Sequence, residues 1–306
     1  MALTELTLLS VTPPFSLNLI QDLREMLSLD FMRQAFLAGT MLSIVAGLVG
    51  YFVVLRHLVF AVEALSHVTF AGVLAAAIVG SHPLVGLFGV TTLVALGIGA
   101  LDTRGQARAR DVTIGTVLAW VLGLGVLFLS IYTSLASGTE SSIGVNVLFG
   151  SILGLQAQQA QFTALVGVVT IVALLAIARP LLFASIDPDV AAARGVPVRF
   201  LNVVFLVLVA LSVAEAVPAV GALLNSALIV TPAAISQRLV ARPFVALLLS
   251  ATLALAFTWV GLIIGFYAPY PISFLISTLS FIAYVAVVTW QRLRKPSTPR
   301  LHVGNS

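Results

Sequence analysis

The chain has 306 residues and a mass of 32.1 kDa; 60% of it is apolar, only 8% is charged, mean hydropathy is +1.14 and formal charge is +4. Soluble domains carry about 25% charged residues, so this chain cannot cover a water-facing surface, and with no cysteine it has no disulfide frame. That excludes a soluble enzyme, a disordered chain and a disulfide scaffold, and continuous rather than alternating apolar runs exclude an outer-membrane barrel, leaving an all-α polytopic membrane protein.

Residues 1–33 hold Pro13, Pro14 and a mixed-charge stretch around Asp22, Arg24, Glu25, Asp30 and Arg33. They read as an interfacial amphipathic segment, and the late first basic residue, Arg24, argues against a cleaved leader. A membrane domain then fills 34–291. Runs of roughly 20 apolar residues fall at 34–54, 60–80, 83–101, 113–135, 160–183, 199–217, 218–236, 243–267 and 271–290. Residues 143–155 are apolar but too short to span, and read as a re-entrant or interfacial helix. The break between the sixth and seventh runs is placed at Val217–Pro218. The count is nine spans, or eight if 199–236 is one broken helix with a re-entrant piece. Residues 292–306 are a short tail.

With the C-terminus inside, this alternation puts thirteen of the fifteen basic residues on the inside. Only Arg24 and Arg33 fall outside, both before the first span. The positive-inside rule therefore reads the N-terminus as outside and the C-terminus as cytoplasmic. The same reading turns the pI near 10 into a topology signal rather than a nucleic-acid footprint. Small residues, Ala46, Gly47 and Gly50 in the first span and Gly261 and Gly265 in the eighth, mark faces where helices can approach closely.

Charges within the bilayer are costly and mark function. Few exist here. Glu63 and His67 lie four residues apart on one helix face, where a carboxylate and an imidazole can ligate one Zn²⁺ or Mn²⁺ or simply bond each other. They lie one or two turns from the inside face, which suits an inner gate rather than a midplane site. Glu215 is a third ligand, a proton-relay group or a helix-end residue beside Pro218; the last is favoured. His57, His82 and His302 sit at span ends or in the tail. Metalloprotease, nucleophile-elbow and paired-aspartate motifs are missing, which disfavours an intramembrane enzyme. The single lysine, Lys295, precedes Pro296, so no phosphate-binding loop exists and any ATP must bind another chain. In the inside loop, which holds Arg194, Asp187 is an N-cap with Pro188 at the first helical position, and Gly195 and Pro197 end the helix after two turns. A short capped helix there suits partner docking.

Four segments in order, over about 35–284, resemble the permease subunits of bacterial zinc- and manganese-type ABC importers. They are Glu63 with Ala64–Leu65–Ser66–His67 and Gly72; the LFGSILGL segment; IDPDVAAARGVPVR; and AVGALLNSALIVTPAAIS. The family usually has Asp at Glu63, Pro at Ala71, an acidic residue at Ser151, and Asp where Pro269 stands ahead of Pro271. Glu63 keeps the charge and the oxygen ligands. The resemblance implies a multi-pass permease of the bacterial plasma membrane, forming a homodimer, with no permanently bound cofactor. It implies a transported divalent metal, with zinc, manganese and iron left open. It further implies a separate ABC ATPase docking at the 187–197 loop and an extracytoplasmic metal-binding protein delivering the ion. The alternative is a proton-coupled secondary transporter using Glu63 or Glu215.

Overall fold

Inside a bilayer no water meets the backbone N–H and C=O groups, so each spanning segment must satisfy its own as a helix. The computed structural model describes residue 24 and residues 26–101, 107–135, 147–268 and 270–294, and the described residues are almost wholly helical. The helices are α1 Asp30–Leu55, α2 Val59–Ile78, α3 Thr91–Leu101, α4 Ala107–Leu135, α5 Ala157–Ile186, α6 Pro188–Ala193, α7 Val198–Val220, α8 Asn225–Leu239, α9 Pro243–Tyr267 and α10 Ile272–Arg294. A wide π-helical stretch, Val85–Val90, leads into α3.

Seven of these, α1, α2, α4, α5, α7, α9 and α10, are long and apolar enough to cross a membrane. The expected runs at 83–101 and 218–236 are also helical but shorter: the apolar helix Val85–Ala100, and the 15-residue α8. Pro13, Pro14, Asp22, Glu25, Arg104, residues 136–146, Pro269 and the tail beyond 294 lie outside the described residues.

Burial sorts the helices. The most apolar windows of α1, α2 and α7 are each 72% buried by the chain itself, against 17% for α4 and 22% for α10. The first three are the interior, and α1 is its axis, packing on α5, α7, α8 and α9. Glycine makes this approach close. A Cβ on Gly47 would stand 2.5 Å from the Ala251 backbone in α9, and one on Gly50 would overlap the Ile229 carbonyl in α8. Gly261 and Gly265 similarly admit Ile276 and Ile272 of α10. Both small-residue faces expected from sequence are helix crossings.

The break between the sixth and seventh runs falls later than expected. Pro218 lies inside α7, and the chain leaves the helix at Gly221, whose φ is +93°. Residues 221–224 then turn before α8 starts. The freed backbone groups are met by residues 147–151. Ala222 N–H donates to the Val147 carbonyl at 3.0 Å, Leu223 N–H to the Leu148 carbonyl at 3.3 Å, and Ser151 N–H to the Pro218 carbonyl at 3.0 Å. The described part of the 143–155 segment is thus a short docked connector, with Ile152 and Leu155 buried. Gly150 (φ +71°) faces Gly221: a Cβ on either would stand within 2.5 Å of the other strand's backbone.

Gly221→Ala therefore combines a positive φ with a collision, and is expected to destabilise the protein by about 2 kcal/mol or more. Gly123→Ala, where an added Cβ meets nothing within 4 Å, should change stability by less than about 0.5 kcal/mol. Thermal unfolding of the purified variants in detergent checks the contrast.

Candidate functional site

The α1–α2 turn begins the site. Arg56 leaves α1, His57 takes a positive φ of 55°, and α2 starts at Val59. Glu63 and His67 follow within about the first 12 Å of α2. Their side chains meet: His67 Nε2 lies 3.4 Å from Glu63 Oε1, with His67 mostly buried and Glu63 more open. That separation is long for a hydrogen bond. Two ligand atoms each about 2.1 Å from a shared cation stand about 3.0–3.4 Å apart at octahedral and tetrahedral angles. The pair can hold one divalent ion between them, and its open side is where further ligands or water would complete the shell.

Ser66 points away from the pair, as helical spacing requires. Its hydroxyl donates to the Val62 carbonyl at 2.9 Å and accepts from Asn225 Nδ2 at 3.0 Å. The next residue, Ser226, reaches the Glu63 carboxylate with its own hydroxyl. The first turn of α8 thus supports α2 from the side at the height of the Glu63–His67 pair. Sequence reasoning missed both residues. The signal was a polar Asn–Ser pair in an otherwise apolar run; its meaning depends on the break at Gly221, which sets which face of α8 meets α2.

Glu215 stands elsewhere. It lies within α7, more than a turn before the helix ends, and is 1% exposed. Its carboxyl head faces Gly167 of α5 rather than α2. Among the described residues no three acidic or histidine side chains gather into one cluster, so Glu215 does not join Glu63 and His67 as a third ligand.

The inside loop has the form its residues imply. Asp187 caps α6, its Oδ1 accepting from Val190 N–H at 3.0 Å, and Pro188 occupies the first turn. Arg194 closes the helix with its guanidinium over the Phe183 ring, and Gly195 follows at φ +83°. Pro197 then immediately precedes α7. Asn202, in the first turns of α7, accepts a hydrogen bond from the Arg56 guanidinium, which also stacks 5.5 Å over Phe205. Gln237 at the end of α8 donates to the Tyr51 carbonyl at 2.8 Å. The first turns of α7, which follow the α6 loop, and the end of α8 are therefore tied to the end of α1 and the turn that leads into α2.

A sequence model of the ABC 3 transport family matches residues 28–291. The manganese import system permease protein ScaB of Streptococcus parasanguinis is 30% identical over 236 residues, covering 77% of this chain and 82% of its own. The manganese transport system membrane protein MntC of Listeria innocua is 28% identical over 248 residues, covering 81% and 85%. Among solved structures, PsaBC from Streptococcus pneumoniae in complex with Fab superposes with a TM-score of 0.76 at 24% identity, over 90% of this chain and 99% of that one.

If Asn225 fixes α8 against α2 through Ser66, the two residues are energetically coupled. A double-mutant cycle of Ser66→Ala and Asn225→Ala, read by thermal unfolding, is expected to give a coupling of about 1 kcal/mol. Strictly additive effects would show that the contact does not hold the helices together.

Proposed function

We propose that this chain, which belongs to the ABC 3 transport family and is the membrane-spanning permease subunit of an importer, carries divalent manganese past Glu63 and His67. The chain is not an enzyme, and the family membership sets aside the proton-driven exchanger. The observation that carries the metal assignment is the 3.4 Å pairing of a carboxylate and an imidazole in an apolar, membrane-length helix. A carboxylate in such a place is costly unless a cation or partner meets it. Carboxylate oxygen with imidazole suits manganese as well as zinc; the identity with manganese permeases favours manganese.

Two ligands make a weak site, which suits a pathway that must release its ion. The open side of Glu63 gives the reason for a second copy: a homodimer with this side at its axis brings two Glu–His pairs together and doubles the donor set. An extracytoplasmic binding protein delivers the ion from outside. A separate ATPase docks at α6 on the cytoplasmic side, and its closure on ATP moves α7 and, through Asn202 and Arg56, the turn below the metal-ligating pair.

Glu63→Gln combined with His67→Asn keeps shape and hydrogen bonding but removes most of the ligation. Manganese uptake in a deletion strain carrying this variant should fall at least about 10-fold, while membrane yield stays near that of the natural chain. Uptake at the natural level would place the pathway elsewhere.

Gly195→Trp distorts the end of α6 at a positive-φ position, where an added Cβ itself meets nothing within 4 Å. The reconstituted complex should still assemble but hydrolyse ATP without moving metal. ATP turnover and uptake that remain coupled in this variant would remove the docking role from α6.

A further inference from the structure

Among the described residues, every buried serine and threonine hydroxyl but two donates to a backbone carbonyl. Ser66, Thr69, Thr91, Thr258 and Ser280 each donate to the carbonyl one turn back in their own helix. Thr170 in α5 and Ser212 in α7 are buried as deeply, and their hydroxyls meet no partner. Both carboxyl oxygens of Glu215 are in the same condition. Among the described residues, only the Asn225 amide oxygen is otherwise a buried side-chain oxygen or nitrogen without a partner.

The three unpartnered groups lie on the packed helices α5 and α7. Glu215 Oε1 lies 2.8 Å from where a Cβ on Gly167 would stand, so the carboxyl head rests against α5, beside Val45 and Met41 of α1. Thr170 follows Gly167 by three residues and Ser212 precedes Glu215 by three, so each shares its neighbour's helix face. The helices run in opposite directions from the α6 joint. Thr170 is 16 residues before the end of α5 at Ile186, and residue 214 is 16 after the start of α7 at Val198. The three side chains thus fall within about one turn of a common level.

No charged group comes to meet them. On α1, Tyr51 is six residues beyond Val45, and Asp30 and Arg33 are eight or more before Met41. On α2, which meets Ala214 at Val73, His67 is six residues away and Glu63 ten. Arg179 of α5 is nine beyond Thr170. Each such gap is about 9 Å or more along a helix axis. The π-helical stretch and α3 carry no titratable residue; Asp189 lies in α6, Arg238 lies near the end of α8 and donates at 3.2 Å to the mid-helix Tyr284 of α10, and Arg292 and Arg294 end α10.

We propose that Glu215, Ser212 and Thr170 form a proton-binding site, with the carboxyl held as an acid in this conformation and deprotonated in a state of the transport cycle that admits water between α5 and α7. A carboxylate with no donor and no counter-ion is untenable in a dry interior. One proton cancels its single charge; a divalent ion would leave one positive charge uncompensated. The contact at Gly167 leaves no space for a hydrated cation, whereas a proton needs none. A carboxylic acid also brings one donor beside its acceptors, so it can exchange hydrogen bonds with hydroxyls, whereas a carboxylate can only accept. The site is separate from Glu63 and His67. Its cycling rests on the permease reading, but its protonation does not.

Infrared spectra of the purified complex in lipid nanodiscs, without metal, test this. The natural chain is expected to show a protonated-carboxyl C=O band at neutral pH that is lost in Glu215→Gln, a neutral variant of the same shape. Ser212→Ala and Thr170→Val should retain the band and shift it to higher frequency, since the carbonyl loses a donor. Trapping the complex with ATP and vanadate should remove the band and raise carboxylate absorption. If Glu215→Gln instead removes carboxylate absorption, or if neither hydroxyl variant moves the band, the site is not the one described. A band unchanged by trapping would make the proton a static structural feature and overturn its cycling.

Discussion

The break between α7 and α8 is the constraint on which the rest of the fold turns. A helix interrupted within an apolar bundle frees backbone donors and acceptors that water cannot reach, and each must find a partner in the protein. Residues 147–151 supply them through the bonds of Ala222, Leu223 and Ser151. Two glycines at positive φ, Gly150 and Gly221, let the two backbones approach face to face. Without this pairing α8 would have no fixed starting point. With it, α8 begins at Asn225, and its first turn delivers Asn225 to Ser66 and Ser226 to Glu63.

The interior helices are organised around α1 by the same economy of volume. Gly47 and Gly50 bring α9 and α8 to backbone contact, and Ser250 donates to the Gly47 carbonyl at 2.7 Å where the two helices cross. Such close approach replaces the hydrophobic effect, which does not act between helices in lipid. It also makes the interior stiff, so displacement at one end is carried along whole helices. The end of the bundle that carries α6 holds three links: α6 leads through Val196 and Pro197 into α7, Asn202 of α7 holds Arg56, and Gln237 of α8 holds the Tyr51 carbonyl. The outer helices α4 and α10, mostly uncovered by the chain itself, are left for lipid or for another subunit.

Two acidic side chains inside the bundle have opposite surroundings. Glu63 has an imidazole, a hydroxyl and an open side; Glu215 has a glycine backbone, two idle hydroxyls and no opening. The first arrangement suits a cation that arrives and leaves with its water. The second suits only a species without volume.

Composition and spacing alone determined much of this protein. The low charge demanded a membrane, the nine apolar runs each hold a helix, two of them shorter than a span, and the local chemistry of Asp187, Pro188 and Gly195 placed the short helix α6. Four-residue spacing put Glu63 and His67 on one face, because a helix turn is a local property. What tertiary structure decided is everything that depends on partners distant in sequence. The break lies at Gly221 rather than Val217–Pro218: Pro218 stays within the helix, and its own carbonyl, left over where the helix ends, accepts from Ser151 N–H. The role of Asn225 depends on Ser66, 159 residues away, and Glu215, read as a helix-end residue, is a core carboxyl because α5 presents a glycine to it. No pattern within either helix encodes which face the other will present; packing does.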